Sequence, residues 1–249
     1  MAFTKNQAKL IKSLHDKKNR NELGLFLVEG KKNVLELLDS DFDIQYILCT
    51  DSFAEDHSVL LKSKIVECDV VSQSEIEKVG TLESNNSALA IVKQKENIEF
   101  KIGKDEIVIA LDEIKDPGNL GTIIRIADWY GIKKIIASTN TVDFYNSKVI
   151  SATKGSFIRV NIFYTNLVES LPKIGLPIFG AFMAGENVHS FNFPKSGILV
   201  MGNESNGVSK EIEKIITQKV TIPSFGRAES LNVAIASSII IDNWKRKLE

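Results

Sequence analysis

Short apolar runs alternate along the chain with stretches whose apolar residues recur at helical spacing, and the alternation changes character near residue 98. In the first part the pattern predicts a basic helix near residues 5–18 with Leu10, Ile11 and Leu14 turned inward, a strand at 25–28, and a helix holding Val34, Leu35, Leu37 and Leu38. Further strands are expected at 44–49, 65–68 and 88–92, which makes a small α/β unit. The second part is more regular, with strands expected at 107–111, 134–137, 177–180, 198–201 and 220–222 and helical patterns between them. Near-continuous apolar strands divided by helices imply a parallel sheet covered on both faces, because neither face of such a strand tolerates water. The polar run 93–97 and the Gly103-Lys-Asp105 turn mark a linker, dividing the chain into domains 1–98 and 99–249.

Ligands of parallel sheets bind beyond the carboxyl ends of the strands. Three such ends carry polar residues that packing alone would fill differently. In Asp116-Pro-Gly-Asn-Leu-Gly-Thr-Ile-Ile-Arg125, an apolar stripe of Leu120, Ile123, Ile124 and Ala127 faces inward. Arg125 lies off that stripe, on the side of Gly121 and Asp128, six residues after Asn119, a good N-cap type. It either presents a guanidinium beside a helix N-terminus or forms a surface ion pair with Asp128 or Asp112.

The second end is Met201-Gly-Asn-Glu-Ser-Asn-Gly207, followed by a helical pattern with Ile212, Ile215 and Ile216 on one stripe. Glu204 would repel a phosphate, and the Lys-Ser/Thr ending of a P-loop is missing, so exposed backbone here suits an adenosine or methionine moiety better. A plain turn with a solvated Glu204 is the other reading. The third, Ile222-Pro-Ser-Phe-Gly-Arg-Ala-Glu-Ser-Leu-Asn-Val233, leads into a helix beginning near Ser230 or Asn232, with a stripe of Val233, Ala236, Ile240 and Trp244. Ser230 as a cap and Glu229 on the helix dipole would account for two of its polar residues; Asn232 is left over.

With 249 residues and 43% hydrophobic content the chain has material for buried cores. A net charge of −1 gives no global case for nucleic acid, so any such case is local. Lys5, Lys9, Lys12, Lys17, Lys18 and Arg20 stand against the single acid Asp16, with Lys31 and Lys32 close behind. This cluster would track phosphates or simply form a solvated helix face. No apolar run approaches the roughly 20 residues of a membrane span, and the N-terminus lacks the apolar core of a signal peptide, so no membrane partner and a cytoplasmic location are expected. Cys49 and Cys68, with His15, His57 and His189, lack metal-ligand spacing, and no metal site is expected.

In order and content the three ends resemble the signature of the SpoU/TrmH branch of the SPOUT RNA methyltransferases: Asn-x-Gly-x-x-x-Arg, then Gly-Asn-Glu, then Ile-Pro with a later Ser-Leu-Asn-Val. The matching residues are Asn119, Gly121 and Arg125; Gly202, Asn203 and Glu204; Ile222 and Pro223; and Ser230, Leu231, Asn232 and Val233. The resemblance covers most of residues 106–249. It implies a parallel sheet with a deep C-terminal trefoil knot, an exception to the rule that chains avoid knots, and a homodimer with a shared active site. It further implies methyl transfer from S-adenosylmethionine to a ribose 2′-hydroxyl. The cofactor would lie against backbone at Gly202, Ile222 and Leu231, with Asn119, Arg125, Glu204, Ser230 and Asn232 around the ribose. Arg125 would then stabilise developing negative charge or bind phosphate, Asn232 and Ser230 would orient the hydroxyl, and Glu204 would position Arg125 or act as base.

The segment from Ser13 to Gly30 resembles the RNA substrate-binding domain, similar to a ribosomal RNA-binding protein fold, that precedes many members of the family. The resemblance turns the basic cluster and Lys31 toward RNA, and favours ribosomal over transfer RNA as substrate. Ser205 and Ser224 depart from the usual glycine and methionine without removing a proposed catalytic group. Ser151 stands where an arginine is usual, which leaves Lys148 or Lys154 to make that contact. Three rivals are weighed. A KH module would use Gly118-Asn-Leu-Gly121 as its loop but needs a preceding helix. A catalytically inactive relative that only binds RNA would lack Arg125 or Asn232, and both are present. A nucleotide-binding oxidoreductase would carry a Gly-x-Gly-x-x-Gly fingerprint after a strand, which is missing.

Overall fold

The computed structural model describes residues 3–64 and 67–248. In chain order the elements are α1 (Lys5–Ser13), α2 (Lys17–Leu23), β1 (Leu25–Glu29), α3 (Lys31–Leu38), β2 (Ile44–Cys49), α4 (Asp51–Asp56), α5 (Ser58–Ser63), β3 (Cys68–Val70), α6 (Gln73–Val79), β4 (Ala88–Lys93) and β5 (Ile107–Leu111). They continue as α7 (Pro117–Trp129), β6 (Lys134–Ser138), α8 (Ser147–Thr153), β7 (Asn161–Thr165), α9 (Leu167–Ile174), β8 (Ile178–Asn187), β9 (Gly197–Met201), α10 (Lys210–Glu213), β10 (Gln218–Thr221) and α11 (Val233–Arg246). Two compact units result, one of residues 1–96 with 143–158 and the other of 97–142 with 159–249. A cut near residue 98 would have assigned 143–158 to the second domain.

The first unit holds a four-stranded mixed sheet in the order β1-β4-β2-β3. Its core includes Ile11, Leu14, Leu27, Leu48, Ile76 and Leu89. The single basic helix expected over 5–18 is two helices, because Asp16 accepts from the backbone N–H of Lys18 at 2.7 Å and so opens a second one. That helix stops at Gly24, whose φ of 65° is the left-handed geometry a glycine adopts without strain. Arg20, counted above with the RNA-facing cations, is only 2% exposed. Its Nη2 lies 2.6 Å from Asp143, and its Nη1 donates to the carbonyls of Leu14 and His15. It therefore ties segment 143–158 to this unit, as does Phe157 packing edge-on to Phe26, and it offers nothing to phosphate. Lys5, Lys9, Lys12, Lys17 and Lys18 remain exposed. Of the strand expected at 65–68, Ile65 and Val66 lie outside the described residues, and the observed strand begins at Cys68. The two cysteines, on neighbouring parallel strands, bring their sulfurs to 3.4 Å as free thiols.

In the second unit six strands pair in the order β10-β8-β9-β5-β6-β7, every pair parallel. Val108, Ala110, Ile198 and Val200 fill one face of it with Leu171 and Ile212. β7 was not expected: it is a half-buried edge strand whose apolar run is confined to Ile162-Phe-Tyr164. β8 runs seven residues beyond the expected end at 180, through the apolar run Ala181-Phe-Met-Ala184, and that extension is largely exposed. The stripe of α7 is as expected, with Leu120, Ile123, Ile124 and Ala127 fully buried; on α11 Val233, Ile240 and Trp244 are buried as expected, but Ala236 is only half-buried and the neighbouring Ser237 takes the buried place. The indole N–H of Trp244 donates to the carbonyl of Pro194 at 2.7 Å. Because all strands are parallel, the ends of β5, β9 and β10 lie on one edge of the sheet, and with them the three polar segments.

Candidate active site

The first segment is shaped before any of its proposed groups is placed. Asp112, at the end of β5, is buried and accepts from the N–H of Ser209 at 2.7 Å. Glu113 follows at a φ of 58°, a conformation rare for a side-chain-bearing residue. Neighbours hold it there. Its N–H donates to Ser138 Oγ at 2.9 Å, its carbonyl accepts from Asn203 Nδ2 at 2.8 Å, and its carboxylate accepts from Asn140 Nδ2 at 2.8 Å. Asp116, not Asn119, is the N-cap of α7, accepting from the N–H of Asn119 at 2.8 Å, and Pro117 opens the helix. The Asn119 side chain is thereby free to point out of the helix. Gly118-Asn-Leu-Gly121 lies within α7 directly after a strand, which disposes of the KH loop.

Three side chains from three segments then join in one hydrogen-bonded chain. Asn119 Nδ2 donates to Glu204 Oε1 at 2.9 Å, and Asn232 Nδ2 donates to Asn119 Oδ1 at 2.8 Å. Asn232 Oδ1 accepts from the N–H of Ala234 at 2.9 Å and of Ile235 at 3.3 Å, which makes it the N-cap of α11. Ser230 does not fill that place. The direction of the chain is set at its ends: a carboxylate only accepts and helix N–H groups only donate, so each amide has one workable orientation. The residue that local capping had seemed not to explain thus caps the helix and reaches across to α7 as well.

Glu204 also accepts from the N–H groups of Lys115 and Asp116, each at 3.4 Å. Partial burial works to raise its pKa, but hydrogen bonds from Asn119 and from the backbone outweigh it and hold the carboxyl below the usual range. Glu204 is therefore ionised at neutral pH, a weak base, and a partner of Asn119 rather than of Arg125. A carboxyl with a lowered folded-state pKa stabilises the fold fully above its ordinary value near 4.5, and that contribution fades as pH falls through the lowered value. The gap in melting midpoint between wild type and Glu204→Gln should accordingly be full at neutral pH and shrink in acid; a gap that widened on acidification would contradict this geometry.

Arg125 and Ser230 are exposed, and neither has a side-chain hydrogen bond or ion pair among the described residues. The ion pairs expected as alternatives for Arg125 are absent: Asp112 is taken by Ser209, and Asp128 by Arg159. The second segment closes on itself through paired backbone bonds of 2.9 Å between Asn203 and Gly207. A Cβ at Gly202 would come within 2.2 Å of the Gly207 carbonyl carbon, so glycine is obligatory there for the loop itself. Parallel ladders bond alternate residues, and at these strand ends the pairs end on Met201 and Thr221. The next N–H groups, of Gly202 and Ile222, and that of Leu231, have no protein acceptor among the described residues. Glu113 and Asn140 escaped sequence reasoning; Asp112 was read only as a possible partner of Arg125 and Asn203 only as part of the Gly-Asn-Glu match, and the bonds they make were not foreseen.

The SpoU rRNA Methylase family matches residues 106–242, and the MRM3-like substrate binding domain matches residues 5–90. The chain is 31% identical over 237 residues to the 23S rRNA (guanosine(2553)-2′-O)-methyltransferase RlmP of Bacillus subtilis, covering 92% of each. Among solved structures, the AdoMet-bound rRNA methyltransferase of Sinorhizobium meliloti superposes with a TM-score of 0.89 at 28% identity, covering 100% of this chain and 97% of that one. A TrmH-family protein of Porphyromonas gingivalis gives 0.87 at 30% identity, covering 99% of this chain and 100% of that one. A match over more than half of the chain, falling on the parallel sheet and its three polar ends, means that the chain belongs to the SpoU rRNA methylase family.

Proposed function

We propose that this protein transfers a methyl group from S-adenosylmethionine to a ribose 2′-hydroxyl of ribosomal RNA, at the carboxyl edge of the six-stranded sheet. The observation that carries the reading is the chain from Glu204 through Asn119 to Asn232, which draws the three segments into one polar site, with Arg125 exposed on the helix that bears Asn119 and without an ion pair among the described residues. The residues fit the cofactor by the chemistry of their donors: Gly202, Ile222 and Leu231 offer backbone N–H groups without acceptors among the described residues, suited to the polar atoms of adenosine and methionine. Bound there, S-adenosylmethionine supplies an electrophilic methyl on a sulfonium centre. The chain's own residues hold the ribose. Asn232 keeps one amide N–H and Asn119 Oδ1 one lone pair beyond those already used, enough to orient a hydroxyl with Ser230. Arg125 stabilises the alkoxide as the proton leaves to solvent. With its pKa held down, Glu204 fixes Asn119 instead of acting as base. The test is methyl-labelled S-adenosylmethionine with undermethylated ribosomal and transfer RNA; label on a ribose of ribosomal RNA is expected, and label on neither pool would leave an RNA-binding protein without catalysis.

Support for RNA contact by the first unit is the exposed lysine face of α1 and α2. The trefoil knot belongs to the same reading, supported by β8 and β9 lying between β10 and β5 in the sheet, and a high-resolution trace in which 222–232 closes without threading would remove it. So does the homodimer. Trp129 is 84% exposed and Ile235 52%, although their helices pack together, and Phe225 and Leu231 in the adjoining segment are also exposed. Apolar surface of this kind is covered in an interface. Sedimentation velocity should give a dimer for the full chain and a monomer for the double variant Trp129→Glu, Ile235→Glu; a monomeric wild type would remove the dimer.

A further inference from the structure

Asp128 follows Arg125 by three residues on α7, and side chains at that spacing share a helix face. It is the carboxylate best placed by sequence to neutralise Arg125. Instead it is turned to Arg159, whose Nε lies 3.0 Å from both carboxylate oxygens and whose Nη2 lies 2.9 Å from Oδ2. Two-point engagement by a guanidinium fork outcompetes a looser contact from the same helix. Arg159 stands next to the buried Val160 at the start of edge strand β7, so its backbone is anchored by the sheet.

We infer that Arg159 is a positioning residue: by occupying Asp128 it keeps the Arg125 guanidinium unpaired and available to the ribose and its phosphate. The inference rests on the reading of Arg125 as the cation of a ribose methyltransferase site. Arg159→Ala releases Asp128 to pair with Arg125 and lowers kcat/KM on ribosomal RNA roughly two- to fivefold, the size of an exposed ion pair. Arg159→Lys, which still supplies Asp128 with a cation, stays near wild type. The double variant Asp128→Asn, Arg159→Ala recovers the wild-type value, because the competing carboxylate is gone. If Arg159 merely clipped β7 to α7, or touched RNA itself, the double variant would remain as low as the single one, and that result overturns the inference, as would an unaltered Arg159→Ala enzyme. A second readout separates this from failure of the functional reading. The Nε–H resonance of Arg125 should become protected from exchange in Arg159→Ala and lose that protection in the double variant. A wild type that transfers no methyl would sink the assigned reaction, while the resonance would still decide the pairing; no change in it would overturn the inference.

Discussion

Replacing Arg125 by Ala is expected to remove ribose methylation while the melting midpoint stays within the scatter of surface substitutions and affinity for S-adenosylmethionine stays within a few-fold. The side chain is exposed and makes no ion pair among the described residues, so its loss leaves no buried partner unsatisfied and no cavity. Surface changes of that kind alter stability by no more than about 0.5 kcal/mol. The proposed cofactor contacts lie on other segments, at the ends of β9 and β10 and before α11. What is lost is charge complementary to a developing alkoxide, and removing one such preorganised group costs on the order of 10²–10³ in rate. Arg125→Lys should recover only part, since a point charge on a flexible stem does not reproduce the fork. A label-transfer assay on ribosomal RNA with calorimetric titration of the cofactor checks both halves. An unaffected rate takes Arg125 out of the mechanism; a lost fold would show that it has a structural partner.

The second large effect belongs to Asn232→Asp. Aspartate is as good an N-cap as asparagine, so the bonds to Ala234 and Ile235 survive and α11 keeps its start. The donor to Asn119 does not survive. A carboxylate would face Asn119 Oδ1 across what is now a 2.8 Å bond, and turning the Asn119 amide over would instead set its oxygen against Glu204. Either arrangement leaves two acceptors opposed, at a cost of about 1–3 kcal/mol, which is roughly 10- to 100-fold in a rate that depends on the arrangement. The melting midpoint should drop by roughly 2–4 °C per kcal/mol of that cost, and kcat falls with it. Asn232→Ala should lose the cap as well, lowering stability by about 1 kcal/mol. Equal activity in the aspartate variant and wild type would mean that the amide chain is not part of catalysis.

The two variants differ in how far the sequence foretold them. Arg125 was marked by lying off an apolar stripe beside Asn119, and its side of the helix was deducible from periodicity; that Asp128 would be claimed elsewhere was not, because Arg159 is 31 residues away in the chain. Asn119 had the composition of a cap, yet Asp116 takes that place and frees it for Glu204, 85 residues on. Arg20 read as one more surface cation among lysines, and its burial depends on Asp143, 123 residues distant. The outer part of β8 carries the apolar run Ala181 to Ala184, yet water reaches most of it, so apolar content there does not report burial.

By itself the sequence determined the alternation of apolar strands and helices, the parallel sheet of the second part, and the three polar strand ends of the candidate site, since burial period, turn residues and caps act over a few neighbours in the chain. Only the tertiary structure decided the strand order β10-β8-β9-β5-β6-β7, the return of 143–158 to the first unit, and which polar group answers which. Those outcomes depend on packing between segments far apart in sequence, where one side chain has several chemically adequate partners and the fold leaves it only one.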